Sequence, residues 1–139
     1  MRFLLDTNAL SEPLRPRPDP SFLQWASEPD TSDLAVSVLT LGELRRGAGL
    51  LAEGVRRSRI EAWLSGLVVQ FQGRVLNVDL PVANQWAEVT VRHRGLGLVV
   101  GAVDELLAAT ALVHDMTLVT RNVRHFNDSG CKLLSPWNS

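Results

Sequence analysis

The sequence predicts an α/β domain, with a central parallel sheet of four to five strands flanked by helices. Two observations predict it. Short apolar runs recur along the chain, and each leads into a longer stretch whose apolar residues return every three or four positions. That alternation is what the crossovers of a parallel sheet require. In addition, 139 residues, 45% hydrophobic and 21% charged, suit one packed core. A single domain over residues 1–139 is therefore expected.

Phe3 to Leu5 reads as a first buried strand, with Asp6, Thr7 and Asn8 directly behind it. The proline-punctuated stretch "PLRPRPDP" leads to a helix opening at Pro20, "PSFLQWASE", where the missing N–H of proline is no loss. "DLAVSVL" alternates into a second strand. "LTLGELRRGAGLL" is helical, with Leu41, Leu44, Ala48 and Leu51 on one side. "RRSRIEAWLSGLVVQF" predicts another helix, aligning Ile60, Leu64, Leu67, Val68 and Phe71. "RVLNVD" reads as a third strand and "LPVANQWAEVTVRHRG" as a helix closed by Gly95. "VDELLAATALVHD" is apolar almost all round, as a buried helix is. "TLVTRN" and "KLLSPW" predict the fourth and fifth strands. Between two of the helices, "GLGLVVG" is one residue too long for a dinucleotide-binding turn and has no strand before it. It reads as a flexible turn.

No apolar run approaches the roughly 20 residues of a membrane helix, and Asp6 interrupts the first run too early for a signal peptide. A cytoplasmic protein without membrane association is expected. Cys131 is the only cysteine, so neither an internal disulfide nor a thiolate metal cluster is available. It is read as structural. The net charge of −1 does not argue for or against a polyanionic partner, but 13 of the 14 basic residues are Arg, Lys132 being the exception. They cluster at Arg15/Arg17, Arg45/Arg46, Arg56/Arg57/Arg59, Arg92/Arg94 and Arg121/Arg124. Such clusters are compatible with phosphate contacts, and equally with a genome that favours Arg codons.

Polar groups interrupt buried patterns at four places. Asp6 follows the first strand; it could simply cap the helix starting near Asn8 or Ala9. Glu43 shares a helical stripe with Leu39, Gly47 and Leu50, beside the apolar face. Gly47, a poor helix former, leaves open space one turn away, although a solvated face would also accommodate the Glu. Asp104 opens "DELLAATALV" on the stripe of Leu107, Ala108 and Ala111, either as a cap or as a carboxylate pressed toward the strand ends by small neighbours. Thr120, Arg121 and Asn122 follow the fourth strand as ordinary turn formers. In open parallel sheets, ligands bind beyond the carboxyl ends of the strands, where Asp6 and Asn122 both fall. Three carboxylates converging there would repel one another unless they shared protons or a cation. All-oxygen ligands select Mg²⁺ or Mn²⁺. His93, His114 and His125 are scattered, and none is expected to be a ligand.

In order and spacing, "LLDTN", "LTLGELRRG", "DELLAATA" and "LVTRNVRHF" resemble the PIN-domain ribonucleases. The similarity is narrower still to VapC-type toxins of toxin–antitoxin pairs and their FitB-like branch, through "DTNALSEPLRP" and the late "PW". The resemblance runs over essentially the whole chain. It implies a PIN-like three-layer fold and Mg²⁺-dependent endoribonuclease activity. By position, Asp6, Glu43 and Asp104 match the family's catalytic, metal-binding acids. Thr7 and Thr120 match supporting hydroxyls, and Asn122 falls where many members carry a fourth acid. His125 stands where Asp is frequent, which leaves the second metal in doubt, with Asp128 as a substitute. The resemblance further implies an RNA substrate, a homodimer and a VapB-like antitoxin in a hetero-oligomer of type II. Trp25, Leu50, Leu51, Ile60, Trp63 and Leu67 are the residues nominated for antitoxin contact, core packing being the alternative for each.

Two rival readings stand beside this one. An aspartyl phosphotransfer domain would need a second Asp after "DTN" and a Lys after a later strand; only Lys132 exists. A catalytically impaired PIN fold, acting as an RNA- or protein-binding module, is kept open by Asn122.

Overall fold

The computed structural model describes residues 1–137. Its elements, in chain order, are β1 (Phe3–Leu5), α1 (Thr7–Ser11), α2 (Pro20–Ala26), β2 (Leu34–Ser37), α3 (Val38–Gly49), α4 (Val55–Gln70), β3 (Val75–Leu76), α5 (Leu80–Gly95), α6 (Ala102–Val113), β4 (Thr117–Val119), α7 (Val123–Phe126) and β5 (Lys132–Leu134). The five strands form one parallel sheet in the order β3-β2-β1-β4-β5. β1 is central, with Leu5 opposite Val36 on one side and Val119 on the other. The chain builds outward from β1 through β2 to β3, then crosses back to β4 and β5. The strand order therefore reverses between β1 and β4, the place where a crevice opens at the carboxyl edge of such a sheet.

Side chains alternate cleanly between the two faces. Leu5, Val36 and Val119 point into a core completed by Ala9, Phe22, Leu64, Leu67, Phe71 and Trp137. Leu4, Ala35 and Leu118 point the other way, onto Leu107, Ala108 and Ala111 of α6 and Phe126 of α7. The sheet is thus covered on both sides, giving the three layers expected.

Helix starts follow local hydrogen-bond chemistry. Asp6, Asp19, Ser37 and Asp79 each cap a helix, their side-chain oxygens accepting from the N–H of Ala9, Phe22, Leu39 and Val82. Pro20 and Pro81 sit in the first turns of α2 and α5. Several expected boundaries shift. "RVLNVD" contributes only Val75–Leu76 to the sheet, because β3 is an edge strand pairing with β2 alone. The strand expected over "DLAVSVL" stops at Ser37, which turns the chain into α3. "TLVTRN" stops at Val119, and the four-residue α7 follows unannounced. α5 does end at Gly95, but the left-handed residue that redirects the chain is Gly97, φ 72°.

Candidate active site

Asp6 is fixed at the carboxyl end of the central strand. Its N–H donates to the Val119 carbonyl (3.1 Å), extending the β1–β4 ladder by one residue. Its Oδ1 accepts from the Ala9 N–H (2.9 Å), so the capping role is real. It does not exhaust the group: Asp6 also takes a hydrogen bond from the Thr120 side chain and feels the charge of Asp104. Burial pushes the Asp6 carboxyl above the ordinary carboxylate range, and the Asp104 charge adds to this. The bonds from Thr120 and from the Ala9 and Asn8 backbone partly offset that rise.

Glu43 comes from the middle of α3 and is exposed. Its Oε1 accepts from the Thr7 hydroxyl (2.8 Å), which ties α3 to the turn after β1. An added Cβ at Gly47 would meet nothing within 4 Å, so space is open one turn from Glu43. Asp104 is the third residue of α6, not its cap; that position belongs to Gly101, which offers no side chain. Ala108 and Ala111 are wholly buried against Leu4, Ala35 and Leu118, and the first turn of α6 puts Asp104 on the cavity that Asp6 lines.

A cavity of about 240 Å³ opens at this edge, lined by Asp6, Thr7, Asn8, Glu43, Asp104 and Asn122. Three acids from distant segments therefore share one opening. Thr120 lies behind it: buried, it bonds Asp6 and accepts from the Asn122 N–H (3.1 Å). Asp128 does not join them; it lines a neighbouring cavity.

The donor chemistry, carboxylates with amide and hydroxyl oxygens, suits a hard divalent cation. The side chains form the cage only in part. Among the described residues, no three His, Cys, Asp or Glu side chains are placed to hold an ion together. Glu43 is engaged with Thr7, and Asp104 Oδ2 stands 3.5 Å from His125 Nδ1.

The sequence profile of the PIN domain matches residues 3–128. The chain belongs to the PIN-domain family. Among PIN relatives, Toxin FitB of Neisseria gonorrhoeae is 35% identical over 97% of this chain and 98% of its own length. The VapC ribonuclease Y4jK of Sinorhizobium fredii is 33% identical over 96% of each chain. The solved PIN structure titled "Crystal Structure of FitAcB from Neisseria gonorrhoeae" superposes with a TM-score of 0.92, at 34% identity over 99% of both chains.

Three features of this PIN site escaped sequence reasoning. Asn8 lines the cavity, although it stands in "LLDTN" itself. His125, expected not to be a metal ligand, stands 3.5 Å from Asp104. Glu105, in the first turn of α6, is buried, and its Oε2 lies 2.8 Å from Nδ1 of buried His93 on α5. A signal was present. A helix that is apolar all round has no solvated face, so Glu105 had to be buried and had to find a partner. Of the residues nominated for antitoxin contact, Leu67 is a core residue. Leu50 is exposed, and Ile60 and Trp63 line a groove of about 700 Å³.

Proposed function

We propose that the chain is a ribonuclease toxin of a type II toxin–antitoxin pair, cutting RNA phosphodiester bonds at the Asp6–Glu43–Asp104 cavity with Mg²⁺, or Mn²⁺ in its place. The observation that carries this is the convergence of three carboxylates from residues 6, 43 and 104 on one cavity at the switch point of the sheet. The ribonuclease and toxin names of relatives at 33–35% identity point the same way.

Asp6 and Asp104 would hold the ion, and Glu43 would complete its cage. When bound, such an ion supplies positive charge against the phosphoryl oxygens and favours ionisation of water at neutral pH. The residues do the rest. Thr120 and the α1 backbone fix the Asp6 carboxylate, so it is oriented before any substrate arrives. Thr7 holds Glu43 Oε1 and leaves Oε2 able to take a proton from the attacking water. Asn8 and Asn122 add neutral amide groups that can bond phosphate oxygens without adding negative charge.

The deciding experiment incubates purified protein with total RNA in Mg²⁺, Mn²⁺ or EDTA and maps the new ends. Cleavage lost in EDTA and in Asp6→Asn is expected; cleavage retained by Asp6→Asn, freed of host nuclease, would overturn the proposal. One observation favours the impaired, RNA- or protein-binding alternative: among the described residues, no three acids are placed to hold an ion together. Calorimetric titration with Mn²⁺ separates the two, since an impaired site takes up none.

The partnership with a VapB-like antitoxin belongs to the same proposal, as does a homodimer. Its support is the likeness to a FitAcB crystal structure and the groove at Ile60 and Trp63, edged by Arg15, Arg56 and Arg59. Subunit mass with and without a co-expressed antitoxin tests both. No helix among the described residues is long and apolar enough to cross a membrane, and a cytoplasmic site of action is proposed with the toxin role.

A further inference from the structure

Beside the acidic cavity lies a second one of about 240 Å³, and Asp104 lines both. The two are therefore neighbours on the same edge of the sheet. Their walls differ. One wall of the second cavity is apolar, made by Leu98, Val99 and Val100 of the segment between α5 and α6. Val99 is fully exposed, and Leu98 is exposed as well. Left-handed Gly97 turns this segment. Consecutive aliphatic side chains held out to solvent contribute nothing to either core cluster.

The rest of the lining is mostly polar: Arg124 and His125 of α7, Asp128 just after it, Asp104 and Gly101 at the start of α6, and His93 of α5. Arg124 is exposed and makes no hydrogen bond or ion pair among the described residues. Its guanidinium is free to meet a phosphate or the plane of a base. A carboxylate such as Asp128 can only accept, and a ribose hydroxyl is a donor that deoxyribose lacks at the 2′ position. An aliphatic wall, a free guanidinium and an acceptor carboxylate together match the base, phosphate and sugar of one ribonucleotide.

We infer that the cavity formed by Leu98, Val99, Val100, Arg124 and Asp128 is a ribonucleotide subsite, holding the nucleotide adjacent to the phosphodiester bound at Asp6, Glu43 and Asp104. The inference rests on the ribonuclease reading for its purpose, but not for its test. The base packs on Val99 and Leu98, Arg124 takes the phosphate, and Asp128 accepts from the ribose. His125, held beside Asp104, lies where the two cavities meet.

The test reads binding without cleavage. Wild-type protein in EDTA is titrated with adenosine 5′-monophosphate and uridine 5′-monophosphate, following backbone amide resonances. Shifts are expected at residues 98–101 and around Arg124. Arg124→Ala should weaken binding by at least about tenfold, the usual loss for one charge-assisted bond. Val99→Ser should weaken it less, and 2′-deoxyadenosine 5′-monophosphate should bind more weakly than its ribose form. Inorganic phosphate alone should bind more weakly than either nucleotide. With RNA as substrate, the Arg124→Ala loss should fall mainly on KM. Absence of shifts at residues 98–101, or equal affinity in a folded Arg124→Ala protein, overturns the subsite. A chain that binds nucleotide here yet cuts no RNA keeps the subsite and loses the nuclease reading. The converse result, cleavage with unaltered KM in Arg124→Ala and no mononucleotide shifts, does the opposite.

Discussion

On one face of the sheet, Leu5, Val36 and Val119 meet Phe22, Leu64 and Phe71, with Trp25 and Trp63 around them and Trp137 stacked on Phe22 at 4.6 Å. On the other, Leu4, Ala35 and Leu118 meet Leu107, Ala108 and Ala111. Large rings dominate the first layer, which α1 to α4 cover. In the second, α6 presents Ala108 and Ala111 to the strands beside Leu107, with Met116 and Phe126 completing the layer. Both layers exclude water, but only the second brings a helix start near enough for Asp104 to act on Asp6. Bulk on one face supplies stability, and smallness on the other supplies proximity. Each face also buries an acid among partners: Glu12 accepts from the Trp137 indole N–H on the aromatic side, with Arg15 and Arg121 nearby, and Glu105 meets His93 on the alanine side.

Several substitutions would break or sharpen this contrast. The largest effect is expected from Phe22→Ala, which empties the aromatic layer and should lower unfolding free energy by about 3–5 kcal/mol in urea denaturation. Ala108→Leu overfills the other layer and should lower stability by only about 1–3 kcal/mol. It should nevertheless reduce RNA cleavage by about 100-fold well below the unfolding midpoint, because α6 and Asp104 are pushed outward. Equal ratios of activity to stability loss in the two variants would dissolve the contrast. Trp137→Phe removes the indole donor from the buried Glu12 carboxylate, and His93→Leu removes the partner of Glu105. Each should cost about 1–3 kcal/mol, read by thermal and urea unfolding.

The smallest and most specific effect concerns Asp6. Its folded-state pKa is raised, by burial first, so the native state holds its proton more tightly than the unfolded chain does. The contribution of Asp6 is therefore fully present below its ordinary value of 3.8 and is lost as pH rises through the raised value. Asp6→Asn, which keeps an adequate cap, should gain stability relative to wild type between pH 4 and pH 7 in EDTA. Adding Mg²⁺ at pH 7 should narrow that gap by stabilising wild type alone. Parallel urea titrations across this range check both signs.

Much of the fold was legible because the strands are buried on both faces and the helices are long. Leu4 and Leu118 announce themselves by apolarity, and Ala108 and Ala111 by spacing. What failed was short or dependent on distant partners. α7 has four residues, too few for any periodicity to register. β3 pairs along one edge only, so its length depends on β2 and not on its own residues. Asp6, Glu43 and Asp104 were individually ambiguous, and Asp6 proved to serve as a cap while also lining the cavity. The resemblance of "SEP" and "PW" to one branch of the family carried no visible mechanism until Glu12 and Trp137 were found bonded across the aromatic layer.

The neighbours of β1 in space are far from it in order: Leu5 lies between Val36 and Val119. Closing the β1–β4 seam means closing a loop of more than a hundred residues, a slow and entropically demanding event compared with the local β1–β2 pairing. Asp6 and Asp104 belong to opposite sides of that seam. Pairing β1 with β2 and β3 brings Asp6 and Glu43 to the cavity, while Asp104, on the helix that leads into β4, joins them only with the second half of the chain.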